Sequence, residues 1–510
     1  MASPFRLRCS WKRTPCRGKF PDPGCCHPAG EIEPTILSPA ATTWILKLNK
    51  EWRALHQGKE ITSDPEPPSL LSTPVVIAMW ESRARALGCW PDAGPECTWG
   101  SIRELAATPD GWGTVGHPEW GLFHFGYAYV GESDVGTQTA VLLCMMGLQK
   151  TVNLTVADVE PNNSCGQAIA DVEDVITHRG TSSPLILQEM RSGGPAFLDA
   201  VTTYEKNVIV SNLQNPHSPW GPLVAVYPQD GTVIADHTFA IMDRAPWVTE
   251  EQVKAAEIFR KFLFTKEQQE SLVGYGLRPA DTAVKLGSPI DIAGGANPAA
   301  NLVTLPAPDV LVIDRIVEVW KDVKKPANIV LVFDKSGSMR GEKIAQALNG
   351  AIEFVDGMDQ KDWLFWLPFD DQFYPGAQGD KGEVGEQLQI EIRSTTARGG
   401  TSLYDAVAHA YQVLEDRRER QGDRVRYGIV VLSDGKDESS GKATLAVLEE
   451  MLRPSESDQA GIQVHAIGIG DDSDDQVLTK IANFTHGGRY WKVDDPTTTK
   501  AVYKRISKYW

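Results

Sequence analysis

The stretch Asn328-Ile-Val-Leu-Val-Phe-Asp334-Lys-Ser336-Gly-Ser338-Met-Arg-Gly-Glu-Lys joins a short apolar run to one carboxylate and two hydroxyls. The uninterrupted apolar run 329–333 predicts a strand that is buried on both faces. Behind the polar loop, apolar side chains recur with helical spacing at Ile344, Ala347, Leu348, Ala351, Ile352 and Val355. The polar side chains therefore lie at the carboxyl end of a core strand, which is where open α/β sheets bind ligands.

The oxygen-bearing side chains of this loop suit a hard divalent cation, Mg²⁺ above all. The alternative is an ordinary polar loop in which Ser336 or Ser338 caps the following helix. Two later stretches favour the cation. Gly399-Gly-Thr401-Ser-Leu-Tyr-Asp-Ala places a hydroxyl between a glycine pair and a second apolar helix. Tyr427-Gly-Ile-Val-Val-Leu-Ser-Asp434-Gly is another core strand that ends in an aspartate.

These three segments, in this order, resemble the von Willebrand factor type A domain with its metal-ion-dependent adhesion site, and the match covers residues 327–510. The resemblance implies a Mg²⁺ or Mn²⁺ ion that Ser336, Ser338 and Thr401 touch directly. It also implies that Asp334 and Asp434 act mostly through water. The sixth position around the metal is then left for an acidic side chain of a partner protein.

The C-terminal region alternates strands with helices. Strands are predicted at 329–333, 363–369, 388–392, 428–432, 462–467 and 489–493, with helices between most of them. Such alternation predicts an α/β fold with a doubly wound, mainly parallel sheet that is covered on both faces.

Length and charge set broad limits. The 510 residues correspond to about three domains, or two larger ones. The net charge of −17 argues against a nucleic-acid partner. The longest apolar run, 140–148, is too short to span a bilayer, so no membrane-spanning segment is expected. No signal peptide is visible, because the basic N-terminus lacks a continuous apolar core.

The eight cysteines are unevenly distributed. Segment 1–33 is rich in Pro, Arg and Cys and is predicted to be disordered. A zinc site built from Cys9, Cys16, Cys25 and Cys26, with His27, is an alternative for it, but the adjacent pair fits no standard zinc spacing. Cys89 and Cys97 are predicted to form a disulfide if the protein is exported, and to be free thiols otherwise.

Residues 34–291 resemble the bacterial extracellular solute-binding proteins, the two-lobed receptors of ABC-type uptake systems. The signs are Thr73-Pro-Val-Val-Ile-Ala-Met-Trp, His117-Pro-Glu-Trp-Gly and Gly276-Leu-Arg-Pro. The resemblance implies an α/β domain of the periplasmic-binding type and a location outside the cytoplasm or at the cell surface. That family usually places a strand, a helix and a strand before a segment like Ser38-Pro-Ala-Ala-Thr. An unrelated segment stands there in this chain, so lobe one is expected to be incomplete.

The resemblance also marks Ser38, Ser133 and Tyr204 as candidate contacts for a small solute. Free N–H groups at helix N-termini favour anions. The alternative is that both serines are helix caps and that Tyr204 belongs to the core. Residues 292–326 are interpreted as a Gly/Ala/Asn/Pro-rich linker followed by an amphipathic helix that packs at the junction of the two domains.

The leading functional hypothesis is a non-enzymatic, Mg²⁺-dependent protein-binding module for adhesion or assembly, fused to a solute-binding-like domain. One alternative is a solute receptor of an ABC-type uptake system in which the C-terminal domain is a scaffold. Another is an enzyme that transfers phosphate through Asp334. Phosphatases of that kind usually place a second acid two residues further on, where this chain has Ser336, and no phosphate-binding Gly-Lys-Ser/Thr loop exists.

Overall fold

The computed structural model describes residues 33–434, 436–453, 461–471, 473–485 and 487–510. Of the segment 1–33 that is predicted to be disordered, residues 1–32 lie outside these described residues, and so do the four cysteines and His27 of the zinc interpretation. In chain order, the strands are β1 Ile36–Leu37, β2 Leu71–Trp80, β3 Phe125–Ala128, β4 Ile176–Gly180, β5 Ala200–Tyr204, β6 Leu223–Val226, β7 Ile234–Ala235, β8 Ala240–Ile241, β9 Arg278–Pro279, β10 Ala327–Asp334, β11 Trp363–Phe369, β12 Gln378–Asp380, β13 Arg426–Ser433, β14 Gln463–Ile469 and β15 Arg489–Val493.

The α-helices alternate with these strands along most of the chain. They are α1 Thr42–Leu55, α2 Glu81–Ala86, α3 Trp99–Ala107, α4 Asp134–Leu148, α5 Ser164–Val175, α6 Ser183–Gly193, α7 Glu205–Gln214, α8 Glu250–Leu263, α9 Lys266–Gly274, α10 Val310–Val323, α11 Glu342–Gly357, α12 Lys381–Ser394, α13 Leu403–Gln421, α14 Leu445–Leu452, α15 Asp475–Asn483 and α16 Thr499–Ile506. Within the described ranges, each helix is too short or too polar to cross a lipid bilayer.

The chain divides into two compact units, and the first contains the described part of 1–73 together with 234–289. Its strands β1 and β8 pair antiparallel over two residues each. Helix α8 begins behind a capping box made by Thr249 and Gln252. Buried side chains from α1 and from the residues around β8 form its apolar cluster.

The second unit contains residues 74–233 and 290–510. In its first part, strands follow the order β4-β3-β5-β2-β6, with β2 antiparallel to both of its neighbours. Helix α4 is buried continuously from Val135 to Met145. Two disulfides lie in this part. Cys89–Cys97 agrees with the predicted pair, and Cys144–Cys165, which the sequence did not predict, joins α4 to α5.

The segment interpreted as a linker packs closely on this part of the second unit. The Leu305 N–H donates to the Thr232 carbonyl over 2.8 Å, and the Thr232 N–H donates to the Val303 carbonyl over the same distance. Helix α10 then buries one apolar face in the core that contains α4 and α5. Its contributing residues are Val312, Ile313, Ile316, Val319 and Trp320. The amphipathic pattern of α10 thus predicts a buried face, and the structure shows what that face contacts.

The C-terminal sheet has the strand order β12-β11-β10-β13-β14-β15. Its neighbours are parallel except that β12 runs antiparallel to β11. Alternate residues of β10 face opposite layers: Leu331 packs in the cluster that includes α11 and α16, and Val332 packs in the cluster of α13, α14 and α15. The predicted doubly wound, mainly parallel sheet is therefore confirmed.

One predicted strand is wrong. Residues 388–392 lie inside helix α12, and the edge strand is β12, just before that helix. The reason is the spacing of the apolar side chains: Leu388 and Ile392 are buried one helical turn apart, whereas Ile390 between them is exposed. A short apolar run by itself does not separate a strand from a buried helix face.

Candidate metal site

Two aspartates meet at the carboxyl edge of the C-terminal sheet. Asp334 ends β10, and Asp434 directly follows β13. These strands are parallel neighbours in which Phe333 lies opposite Leu432, so both aspartates emerge side by side. Both are buried, with 0% and 2% of their surface exposed. The sequence predicted this juxtaposition from the two core strands that end in aspartate.

The loop after β10 folds back on the Asp334 carboxylate. The Ser336 N–H donates to Asp334 Oδ1 over 2.8 Å, and the Ser433 hydroxyl donates to Asp334 Oδ2 over 2.5 Å. The hydroxyl oxygens of Ser336 and Ser338 lie 2.9 Å apart. Ser336 is buried whereas Ser338 is exposed, so this pair of hydroxyls connects the buried carboxylate to solvent.

Thr401 reaches the same edge through backbone contacts. The Gly337 N–H donates to the Gly399 carbonyl over 2.9 Å, which joins the glycine pair to the first loop. Gly399 has φ +76°, a conformation that glycine adopts at little cost. The Thr401 carbonyl accepts from the N–H groups of Glu438 and Ser439, in the loop after Asp434. The three predicted segments therefore come together, with Thr401 buried between them.

The electrostatics of this edge disfavour two bare carboxylates. Burial, together with the charge of Asp434, raises the pKa of Asp334 to about 6, although hydrogen bonds from Ser336 and Ser433 act in the opposite direction. A buried carboxylate beside a second one is stabilised by a proton or by a cation. Among the described residues, no three His, Cys, Asp or Glu side chains are arranged to hold a metal, so a metal here needs hydroxyl ligands as well.

Four residues that the sequence analysis did not single out surround this edge. Lys335 is buried between Asp334 and Ser336, and its ammonium group forms an ion pair with Asp370. The Asp370 carboxylate also accepts from the Tyr374 hydroxyl over 2.7 Å and lies 3.4 Å from Nε of Arg398. Burial acts to raise the pKa of Asp370, but hydrogen bonds from Lys335 and Tyr374 prevail and hold it below its ordinary value. The only signal in the sequence is the acidic pair 370–371, which follows a strand.

Asp370 also connects the Asp334 loop to the Thr401 loop. Its carbonyl accepts from the Ser402 N–H over 2.7 Å, next to Thr401. The Lys335 N–H donates to the Phe369 carbonyl over 2.9 Å, and the Lys335 carbonyl accepts from Arg398 over 2.7 Å. One aspartate thus contacts both the Asp334 loop, through its side chain, and the Thr401 loop, through its backbone.

The candidate solute residues lie in different units. Ser38 is exposed in the first unit, in the loop before α1, and it is no cap, because α1 begins at Thr42. There the Asp236 carboxylate accepts from the Thr42 N–H over 2.8 Å. In the second unit, Ser133 caps α4 by accepting from the Gly136 N–H over 3.3 Å.

Tyr204 lies close to Ser133 in the second unit. Its hydroxyl donates to the carboxylate of Asp134, the first residue of α4. The structure therefore brings Ser133 and Tyr204 to one helix N-terminus and gives both of them internal hydrogen bonds.

The mainly parallel sheet, with helices on both faces and three loops at its carboxyl edge, defines a doubly wound α/β domain. Residues 328–505 match the family described as von Willebrand factor type A domain. Residues 28–278 match the family described as Bacterial extracellular solute-binding protein. The chain thus contains a von Willebrand factor type A domain behind a solute-binding-like domain, and the resemblance inferred from the sequence motifs is confirmed.

Relatives and solved structures align with part of the chain. An uncharacterized protein of Synechocystis sp. is 26% identical over 190 residues, which are 36% of this chain and 43% of that protein. Inter-alpha-trypsin inhibitor heavy chain H4 of Sus scrofa is 29% identical over 171 residues, or 32% of this chain and 18% of that protein. A solved von Willebrand factor type A protein from Catenulispora acidiphila is 20% identical over 36% of this chain and 42% of that chain, with a TM-score of 0.32. This chain spans less than half the length of each of these proteins.

Proposed function

We propose that this protein is a non-enzymatic, Mg²⁺- or Mn²⁺-dependent adhesion or assembly module that binds an acidic side chain of a protein partner. The observation that carries the proposal is the buried Asp334 carboxylate, which adjoins Asp434 and a paired set of hydroxyls. Such a mixture of carboxylate and hydroxyl oxygens fits a hard divalent cation.

The proposed ligand roles are those that the resemblance to the von Willebrand factor type A domain implies. Ser336, Ser338 and Thr401 would hold the cation by neutral hydroxyl oxygens, and Asp334 and Asp434 would balance its charge, mostly through water. A cation held this way keeps much of its positive charge and attracts a further carboxylate. Ser338 is the exposed member of the set, so the partner carboxylate would approach from its side.

The location that fits this function is extracytoplasmic. Disulfides persist in oxidising compartments, and the second unit has two of them, Cys89–Cys97 and Cys144–Cys165. The match to an extracellular solute-binding family supports the same location. Binding of a small solute is a weaker proposal, because Ser133 and Tyr204 already make internal hydrogen bonds.

The test is a calorimetric titration of the full chain with Mg²⁺ and with Mn²⁺. We expect one site in the wild type, no detectable site in Asp334→Asn, and weaker binding in Ser338→Ala and Thr401→Val, because each of the latter two changes removes one hydroxyl ligand. Substitution of a residue that only hydrogen-bonds to a metal ligand commonly lowers metal affinity by about 10–100-fold. Loss of a direct ligand should therefore lower the affinity by at least about tenfold.

Ser402 provides a matched control. It adjoins Thr401, it is 1% exposed, and its hydroxyl has no hydrogen-bond partner among the described residues. Ser402→Ala should leave metal affinity unchanged. An absence of binding in a folded wild type, or equal effects of Thr401→Val and Ser402→Ala, would contradict the proposed site.

A further inference from the structure

A cavity of about 320 Å³ adjoins the loop that carries the proposed metal ligands. Lys335, which lies between Asp334 and Ser336, forms part of its wall, together with Arg398, Tyr374 and Glu391. Because the Arg398 N–H donates to the Lys335 carbonyl over 2.7 Å, the cavity and the loop share a wall. The cavity is therefore next to the loop on which a partner carboxylate would bind the proposed metal.

One carboxylate, Glu391, lines the cavity, and a second, Asp370, pairs with the lining residues Lys335 and Tyr374. Asp370 forms an ion pair with Lys335, accepts from the Tyr374 hydroxyl at 2.7 Å and lies 3.4 Å from Nε of Arg398. Glu391 Oε2 accepts from the Ala377 N–H over 2.7 Å, and its Oε1 accepts from Gln387 over 2.8 Å. Both carboxylates therefore already accept hydrogen bonds from within the protein.

The two cations, by contrast, retain donors. The Arg398 side chain is 66% exposed, and its Nε lies 3.4 Å from the Asp370 carboxylate. Among the described residues, its terminal nitrogens, with four N–H groups, make no hydrogen bond. Lys335 lies 4.1 Å above the Tyr374 ring, which holds its ammonium group at the cavity wall. The cavity thus offers donors to an occupant that brings acceptors.

We propose that this cavity is a subsite for a second carboxylate of the same partner, so that the protein recognises a pair of acidic side chains. One carboxylate binds at the metal, and the other pairs with Arg398 beside Lys335. This inference rests on the proposed metal-dependent function and names the chemistry of its partner. In an extended peptide, side chains two residues apart point the same way and are about 7 Å apart, so such a peptide presents both carboxylates to one surface.

The experiment uses the full chain and four fluorescein-labelled peptides that differ at two positions: Glu-Gly-Glu, Glu-Gly-Gln, Gln-Gly-Glu and Gln-Gly-Gln in one Gly/Ser frame. Fluorescence polarisation is measured in Mg²⁺ and after addition of EDTA. We expect the doubly acidic peptide to bind about tenfold tighter than either singly acidic one at low ionic strength, because the second contact is a charge-assisted hydrogen bond. Salt should reduce this advantage, since the subsite is partly exposed.

Variants locate the second contact. Arg398→Gln should remove the advantage of the second glutamate and leave both metal affinity and single-glutamate binding unchanged. Arg393→Gln, an exposed arginine of α12 that does not line the cavity, is the matched control and should change nothing. Arg398→Glu should reverse the preference, so that a Glu-Gly-Lys peptide binds better than Glu-Gly-Glu.

The outcomes separate the two proposals. If the wild type binds no metal, or binds metal but none of the peptides, the proposed function fails and the subsite fails with it. If the singly acidic peptides bind in Mg²⁺ but the second glutamate adds nothing, or if its advantage survives Arg398→Gln, the subsite is refuted and the metal-dependent function stands.

Discussion

The indole N–H of Trp320 donates a hydrogen bond to the Glu173 carboxylate over 2.7 Å, and both side chains are fully buried. Trp320 belongs to α10 and Glu173 to α5. Arg179 forms an ion pair with the same carboxylate, and the Arg426 guanidinium of β13 lies 4.0 Å from it. Burial and the nearby charge of Arg426 lower the pKa of Arg179 to about 9. One carboxylate therefore joins the solute-binding-like part of the second unit, helix α10 and the C-terminal sheet.

The contribution of this bond is measurable with Trp320→Phe, which keeps an aromatic ring but leaves a buried carboxylate short of one donor. We expect a loss of about 1–3 kcal/mol in unfolding free energy beyond the effect of the smaller ring. Trp90→Phe is the control, since Trp90 is buried in the same apolar cluster and its indole N–H has no partner among the described residues. Equal shifts of the denaturant midpoint in the two variants would refute the role of the bond.

Substitutions of Lys335 and Asp370 test whether their ion pair affects metal affinity through its charges or by positioning the two loops. If only charge mattered, Lys335→Met would raise metal affinity and Asp370→Asn would lower it, because a cation repels a cation and a carboxylate attracts it. The ion pair also ties two ligand loops together, so we expect both substitutions to lower Mn²⁺ affinity by about tenfold or more. Lys335→Arg should retain part of the affinity. Calorimetric titration of the full chain shows whether Mn²⁺ affinity rises or falls. A higher affinity in Lys335→Met would show that charge dominates.

His465 makes the stability of the protein depend on pH. Burial, and then the charge of Arg489, lower its pKa to about 3, and its Nδ1 accepts from the Trp491 indole over 3.2 Å. The folded imidazole stays neutral while the unfolded one takes up a proton below about pH 6.5. Stability is thus fully present above that pH and falls by up to about 1.4 kcal/mol per unit as pH drops towards 3.

The proton count on unfolding tests this prediction. Calorimetric unfolding at pH 5, in two buffers of different ionisation enthalpy, should show about one proton fewer taken up by His465→Gln than by the wild type. At pH 7.5 the two proteins should agree. Equal uptake at pH 5 would mean that His465 is already charged in the folded protein.

The Cys144–Cys165 disulfide closes a loop with a sequence separation of 21, and both of its cysteines are fully buried. In the chain-entropy description, its removal costs about 3 kcal/mol. We expect the Cys144→Ala/Cys165→Ala double variant to unfold at clearly lower denaturant concentration than the wild type. Removal of Cys89–Cys97, with a separation of 8, should cost somewhat less. Denaturant midpoints measured with and without reductant check both values. A wild-type midpoint that does not change on addition of reductant would contradict the prediction.

The features that the sequence predicted are those that a local pattern encodes. The apolar run before Asp334 and the similar run before Asp434 place both aspartates at adjacent strand ends, because parallel strands share an edge. The glycine pair before Thr401 is equally local. The short apolar run 388–392 is compatible with a strand and also with one face of a helix. The exposure of Ile390 in the structure identifies it as a helix.

The features that the sequence analysis missed depend on contacts between distant residues. Lys335 and Asp370 are 35 positions apart, and no local pattern in the sequence indicates that they pair. The partner of Cys144 lies on another helix. The pattern of α10 shows an apolar face, but Trp320 and Glu173 are 147 positions apart, so no local signal pairs them.

The burial of α10 in the core of α4 and α5 has a consequence for how such a gene can be rearranged. An exchange that replaced everything before β10 would remove Trp320 and Glu173 together and leave Arg426 facing a foreign surface. An exchange that kept α10 but replaced the preceding region would expose its apolar face. The sequence boundaries just before α10 and just before β10 are therefore poor sites for recombination. We expect the two domains to be inherited together.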